Sequence, residues 1–330
     1  MMKIERKNEF DIIKSKIDIN RLETYNIEQI NESIPLLDKV MEENAVSTFD
    51  LITLLRDKYD GSLRDAYHNA SINSFVNSKF NCVHLSRILK DELQKLGIDA
   101  HYLSHQARLY ALDSGDKKIK EAHVSLIYPA IHNDKVIYTI YDPGLKIPIP
   151  MTFYSKEKYE QELDNNLSVG IEYDPSNVEY PNAIKMHGIS PYSYTEFPHL
   201  IYQRFNPNYL IDNLGEMLYP MSLKLLTGYK ATIFSKDYNK RAYIKLDHID
   251  NSIEYCDYEK GVIKSLDYKD IMKVDRNYLI GELSSICEKL RIDVNEIVDD
   301  IIFMVEVNDE YMKEIMDNDV LNEYKKIKKR

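Results

Sequence analysis

The apolar residues of this chain change period at Gly97, and that change constrains the fold more than any other feature. From about residue 20 to residue 96 they recur every three or four positions, which predicts helices: Leu36, Leu37, Val40 and Met41, then Leu51, Leu54 and Leu55 behind a Ser47 cap. The last of these helices begins near Cys82, carries Leu85, Leu89, Leu93 and Leu96 on one stripe, and stops at Gly97. From Ile98 the period is two, predicting strands around 98–112, from Ala122 to Tyr128 and from Lys135 to Asp142. A helix stripe and a sheet face both need apolar cover, so the sheet is expected to pack on the Cys82 helix in an α+β arrangement.

Residues 143–225 hold most of the prolines and many tyrosines and read as long ordered connections with a few strands, the place for a substrate wall or for packing loops. A meander of strands follows: Ala231 to Phe234, Arg241 to Leu246, Ile253 to Tyr255 and Val262 to Leu266, with turns at Tyr238-Asn239, Asp250-Asn251 and Lys260-Gly261. The end is helical again, with Leu279, Leu283, Ile286, Cys287 and Leu290 on one face and an Asp293 to Glu296 capping box opening the next helix. Lys325 to Arg330 reads as a basic frayed tail. The expected parts are a helical subdomain over 1–97, a β-rich subdomain with long loops over 98–228, and a meander with helices over 229–330. With 44% hydrophobic residues and only 10 glycines in 330, the chain reads as continuously folded.

Charge and cysteine content exclude several classes. A net charge of −11 argues against wholesale nucleic-acid binding, since nothing steers a polyanion onto such a surface. The three cysteines, Cys82, Cys256 and Cys287, are too few and too far apart for a disulfide framework or a Cys-rich zinc site. The N-terminus is charged at once and the longest apolar runs, such as Ile301 to Val305, are too short to span a bilayer, so a soluble, cytoplasmic protein without a membrane partner is expected.

There is no Gly-rich phosphate loop, HExxH, GxSxG, CxxC or EF-hand loop. What remains is an ordered set: Cys82 at a helix start, His123 at a strand start and Asp142 at the end of the next strand. A nucleophilic thiol needs these three parts, a thiolate, an imidazole to take and return its proton, and a carboxylate to fix the imidazole tautomer. A helix start favours the thiolate through its partial positive charge and free N–H groups. If Asn133 and Asp134 form a two-residue hairpin loop, opposed residues sum to 267: Ser125 faces Asp142, and His123 lies one diagonal step away on the same face, roughly 5 to 8 Å apart at the β-carbons. For an oxyanion the natural donors are the Cys82 backbone N–H and a second group from a neighbouring loop or from Asn81.

Other polar residues take plainer readings. Cys256 and Cys287 are expected in the core, and His84, two residues from Cys82, points to another side of the helix. His101 and His105, four apart in a strand, are about 13 Å apart and so make no metal pair. His132 is expected exposed at the hairpin turn, Asp299-Asp300 on a solvated helix face, and Lys236, Lys240 and Arg241 on a hairpin surface, where they are also the candidates to meet an anionic donor.

The stretch Asn81-Cys82-Val83-His84-Leu85-Ser86-Arg87-Ile88-Leu89, continuing through Leu96-Gly97-Ile98-Asp99-Ala100, resembles the cysteine-helix-strand start of the transglutaminase-like and arylamine N-acetyltransferase-like enzymes. Ala122-His123-Val124-Ser125-Leu126 and Tyr141-Asp142-Pro143-Gly144 resemble their histidine and aspartate strands, so the resemblance covers roughly residues 75 to 150. Two features resemble the acetyltransferase side more closely: the order of helices, sheet, meander and helices, and Asp142-Pro143-Gly144-Leu145 followed by Pro148 and Pro150. Lys79-Phe80-Asn81 stands where that family carries paired glycines and an arginine. The resemblance implies a papain-like fold with an N-terminal helical subdomain, a central antiparallel sheet or barrel and a C-terminal meander plus helices. It implies an acyl-thioester on Cys82, His123 as general base and acid, Asp142 as orienter, and transfer of the acyl group to a small-molecule or peptide amine. No metal or redox cofactor is required, and an acyl thioester such as acetyl-CoA enters, if at all, as cosubstrate. The transglutaminase side implies instead an amidase, peptidase or crosslinking enzyme acylated by a carboxamide. A third reading, from another class, is a binding module that keeps the fold without catalysis.

Overall fold

A computed structural model describes residues 14–15, 18–44, 46–47, 49–63, 65–66, 81–107, 123–145, 147–163, 167–173, 184–190, 199–211, 229–233, 242–248, 250–257 and 262–314. The chain divides into two compact units, one made of Met1–Val40 and Leu85–Met217, the other of Met41–His84 and Leu218–Arg330.

The first unit is built on a mixed set of helices and an antiparallel sheet. Its helical parts belong to α1 (Ile27–Glu43) and α3 (Asn81–Lys95), and between them in sequence lie β2 (Val46–Ser47) and α2 (Phe49–Lys58) of the second unit. Helix α3 forms where the three- and four-residue spacing predicts it, and Leu85, Leu89 and Leu93 are fully buried along its stripe. Gly97 ends it with φ +79°, and the Ile98 N–H reaches back to the Leu93 carbonyl at 3.0 Å, the bond of a Schellman turn. The Gln29 side chain of α1 donates to the Leu96 carbonyl at the same end.

Among the described residues the sheet of this unit has nine strands: β1 (Lys14–Ser15), β3 (His101–Ala107), β4 (His123–His132), β5 (Lys135–Tyr141), β6 (Met151–Tyr154), β7 (Tyr159–Leu163), β8 (Leu167–Tyr173), β9 (Ile184–Ser190) and β10 (His199–Ile211). They run in the order β6-β5-β4-β3-β10-β9-β8-β7, with β1 also paired to β10. One core cluster, including Leu103, Ile127, Ile140, Met151, Ile171 and Phe205, binds the strands together. Among the described residues the proline-rich stretch therefore supplies five strands, more sheet than its composition suggests. Pro207 lies inside β10 where the register against β3 shifts between Phe205 and Leu210, a break that suits a residue with no N–H to give the ladder.

Among the described residues the second unit holds a five-stranded sheet, β14 (Val262–Asp267), β13 (Ser252–Asp257), β12 (Ala242–Asp247), β11 (Tyr229–Ile233) and β2, the expected meander with a short N-terminal strand added at its edge. Helices α4 (Tyr268–Ile271), α5 (Arg276–Leu290), α6 (Val294–Glu306) and α7 (Asn308–Glu314) follow. Asp293 caps α6 by accepting from the Asn295 and Glu296 N–H groups, and Ser47 Oγ accepts from the Phe49 N–H at the start of α2. Cys256 and Cys287 are buried, and burial pushes the Cys287 thiol up to about 12. None of the described helices is long and apolar enough to cross a membrane.

Asp300 departs from the reading of a solvated acidic face. It is fully buried, accepts from Thr53 Oγ1 at 2.7 Å and lies 2.8 Å from the Arg56 guanidinium, whereas its neighbour Asp299 takes Arg276 Nε at 2.7 Å near the surface. Burial pushes the Asp300 carboxyl up to about 7, and the Thr53 hydrogen bond and the Arg56 charge offset only part of that. The folded chain therefore keeps a proton that the unfolded chain, with an ordinary value near 3.9, has lost. Stability falls as pH rises between those two values and is flat above them, by on the order of 4 kcal/mol at most. Asp300→Asn is expected to flatten this slope in urea unfolding at about pH 5 and about pH 8; a variant with the wild-type slope would assign the titration elsewhere.

Candidate active site

The β4–β5 hairpin sets the site. Asn133 and Asp134 have φ of 50° and 59°, the two positive values of a type I′ turn, so the loop has two residues and the register is the predicted one, with Ile127 opposite Ile140 and Leu126 opposite Tyr141. His123 and the residue just past β5, Asp142, then share a face. The His123 Nε2 lies 2.8 Å from Asp142 Oδ1 and 2.9 Å from Oδ2, with His123 6% exposed and Asp142 fully buried.

The loop after β5 fixes the carboxylate from behind. The Leu145 N–H donates to Asp142 Oδ1 at 2.9 Å, and the Ile147 N–H donates to the Asp142 carbonyl at 3.2 Å. The preceding Tyr141 is anchored to α1 through Ser33 Oγ at 3.0 Å, and Ser33 in turn donates to the Ile30 carbonyl. Burial of Asp142 favours its neutral form, but the His123 charge and hydrogen bond, the His105 charge and the Leu145 N–H outweigh it and hold the carboxyl below its ordinary range. An ionised carboxylate only accepts, so His123 must carry its proton on Nε2, which makes Nδ1 the basic nitrogen of the neutral ring.

Sequence reasoning missed a second histidine here. His105, fully buried on β3, stands directly opposite His123 in the ladder, with ring centroids 5.2 Å apart and planes at 65°. Its Nε2 lies 2.5 Å from Ser125 Oγ, and Phe205 packs on it with centroids 4.8 Å apart. His101, its partner in the dismissed metal pair, lies beside Asp99 near the surface. Among the described residues no group of three His, Cys, Asp or Glu side chains is arranged to hold a metal ion.

Cys82 lies in the first turn of α3 and is 2% exposed, and Asn81 opens that helix, with its side chain outside the described residues. Four residues on, and so on the same helix face, Ser86 Oγ donates to the Val124 carbonyl at 3.3 Å, next in sequence to His123. His84 is half-buried. His132 is not simply exposed: its Nδ1 hydrogen bonds Tyr154 Oη, and its ring sits between Tyr154 and Tyr25. Lys236, Lys240 and Arg241 lie outside the described residues.

No protein-family model matches the chain, and no curated protein matches it in sequence. Solved structures do match in shape. A variant arylamine N-acetyltransferase from Mycobacterium smegmatis aligns over 84% of this chain and 91% of its own, with a TM-score of 0.50 at 10% identity. The fold is that of the arylamine N-acetyltransferases. A second Mycobacterium smegmatis arylamine N-acetyltransferase structure aligns over 84% of this chain and 90% of its own, again with a TM-score of 0.50 at 10% identity. The Mycobacterium marinum enzyme in complex with CoA aligns over 82% and 92%, at 11% identity and a TM-score of 0.47. Within this arylamine N-acetyltransferase-like fold, the described residues join His123 to Asp142 as an imidazole–carboxylate pair able to take and return one proton.

Proposed function

We propose that the chain is a cysteine-dependent acyltransferase of papain-like fold, with Cys82 as nucleophile, His123 as general base and acid, and Asp142 as orienter. The observation that carries this reading is the buried His123–Asp142 pair, 2.8 Å between Nε2 and Oδ1, on an acetyltransferase-like fold. The Ser86 bond to the Val124 carbonyl supports it, because one helical turn separates Ser86 from Cys82.

The proposed reaction has two halves. The Cys82 proton passes to His123 Nδ1, Sγ attacks the carbonyl carbon of an acyl thioester, and the oxyanion is met by the Cys82 backbone N–H and a second donor such as Asn81. The bond to the leaving thiol breaks as His123 returns the proton to that sulfur, leaving the acyl group on Cys82. An amine then attacks this thioester, gives its proton to His123, and the Cys82–acyl bond breaks to restore the thiol. Asp142 stabilises the imidazolium in both halves and is not itself protonated. By analogy with the structural neighbours, acetyl-CoA is the proposed donor and an arylamine or another small-molecule or peptide amine the acceptor, in the reducing cytosol.

Intact mass tests this. Incubation with acetyl-CoA is expected to add one acetyl group to the wild type and none to Cys82→Ala, with the adduct discharged by an amine. An adduct that survives in Cys82→Ala would overturn the nucleophile. An adduct from a glutamine peptide but from no thioester would make the enzyme a transglutaminase-like amidase, and none from any donor would favour the binding module.

A further inference from the structure

We propose that the Tyr141 and Ser33 hydroxyls form a positioning strut for Asp142, tying the end of β5 to α1 so that the carboxylate meets His123 past the last pair of the ladder. Its part in a reaction rests on the function proposed above; the placement of Asp142 against His123 does not. The β4–β5 ladder ends at the Leu126–Tyr141 pair, and Asp142 is the first residue beyond it. Among the described residues no ladder pair includes Asp142, yet both its oxygens lie within 2.9 Å of His123 Nε2. What holds Tyr141 therefore sets where the carboxylate stands.

Successive side chains of a strand point to opposite faces, so Tyr141 reaches α1 while Asp142 turns to His123. Tyr141, Ser33 and Asp142 are all fully buried. Tyr141 Oη lies 3.0 Å from Ser33 Oγ, and Ser33 gives its one hydrogen to the Ile30 carbonyl at 2.6 Å. Tyr141 is therefore the donor, and the bonds run one way, from β5 through Ser33 into the backbone of α1. Burial pushes the Tyr141 phenol up, which keeps that proton in place across the working pH range. The far end of the strut is held as well: Gln29, one turn before Ser33, donates to the Leu96 carbonyl at 3.1 Å, where α3 ends. A phenylalanine would fill the same space with no buried hydroxyl to satisfy, so packing alone does not call for a tyrosine. The hydroxyl adds a fixed direction and distance, and a displacement of about 1 Å in a catalytic group costs on the order of 100-fold in rate.

Tyr141→Phe and Ser33→Ala in the full chain test this, by proton NMR and by the rate constant of Cys82 acylation at saturating acetyl-CoA. The signal of the Nε2 proton that His123 shares with Asp142 is assigned by its loss in Asp142→Asn. In each single variant that signal is expected to shift and to exchange faster with solvent. Acylation is expected to slow about tenfold, with the half-saturating donor concentration unchanged. Because the two hydroxyls share one bond, the double variant is expected to be no slower than the slower single variant. A folded Tyr141→Phe that keeps the wild-type signal and rate, whatever its melting point, overturns the proposal, and so do single effects that multiply in the double variant. If one single variant does not fold, the other decides. A wild type that takes no acetyl group, with the proton signal displaced in Tyr141→Phe, counts against the acyltransferase alone, so the two failures are told apart.

Discussion

Asp142→Asn is expected to lower the rate of Cys82 acylation by on the order of 10⁴-fold while the protein stays folded, the scale of a wrong-tautomer change in a catalytic triad. The amide is nearly isosteric with the carboxylate, so its oxygen can still accept from the Leu145 N–H, which holds Asp142 Oδ1 at 2.9 Å. The other half of the amide then presents N–H groups to His123 Nε2, which faces both carboxylate oxygens in the wild type. The ring answers by moving its proton to Nδ1, the nitrogen needed as base, and the buried charge that would stabilise the imidazolium is gone. Stopped-flow or intact-mass acylation, with melting curves as the folding control, measures this. A folded variant acylated at the wild-type rate would remove Asp142 from the mechanism.

The same substitution has a pH signature in stability. The Asp142 carboxyl is held below its ordinary range, so its contribution is fully present above the unfolded value near 3.9 and is lost as pH falls through the folded one. The stability gap between wild type and Asp142→Asn is therefore expected to be widest near neutral pH and to close in strong acid.

The elements that could be read from sequence are those whose information is local. Helix α3 is fixed by a leucine stripe and a glycine stop, and the β4–β5 register by two loop residues able to take positive φ. The strands of the proline-rich stretch lack such signals. Strand β7 presents Glu160, Gln161 and Glu162 in succession, all exposed, so it shows no period of two and owes its existence to pairing with β8. Strand β2 has two residues, and nothing near Val46 and Ser47 announces a partner in β11, far along the chain.

Two burials were within reach of periodicity, and one cross-strand pairing was not. Asp300 lies at helical spacing from the buried Ile297 and Met304, so the apolar face of α6 runs through it. His105 lies two residues from the buried Leu103, on the same face of β3. Its placement opposite His123 is a different matter, because residues 108–122 separate the two strands in sequence, and the register of β3 on β4 is not read from them. Cys82, His123 and Asp142 stand out in sequence because each sits at an element end; His105 sits inside a strand, where a polar residue by itself does not say what it will face.

Gly188→Ala is expected to destabilise the larger sheet by about 3–5 kcal/mol, combining backbone strain with a clash that no rotamer relieves. Gly188 has φ +141°, and it is paired on both sides, with Val169 of β8 and Ile201 of β10. A Cβ there would lie 2.2 Å from the Ser168 carbonyl oxygen and 2.8 Å from the Val169 Cα, both backbone atoms of the neighbouring strand. Relief requires β8 and β9 to part, and Val169, Ile171 and Met186, all fully buried, are the side chains that would lose their packing. Gly61 is the control: it also has positive φ, +106°, but nothing lies within 4 Å of its added Cβ, so Gly61→Ala carries only the strain, about 1 kcal/mol. At about 2–4 °C per kcal/mol, Gly188→Ala is expected to melt roughly 6–20 °C below wild type and Gly61→Ala only a few degrees below. Equal melting points for the two variants would mean that β8 and β9 do not meet in this register, and with it would fall the order of strands that brings β10, and Phe205 on it, against His105.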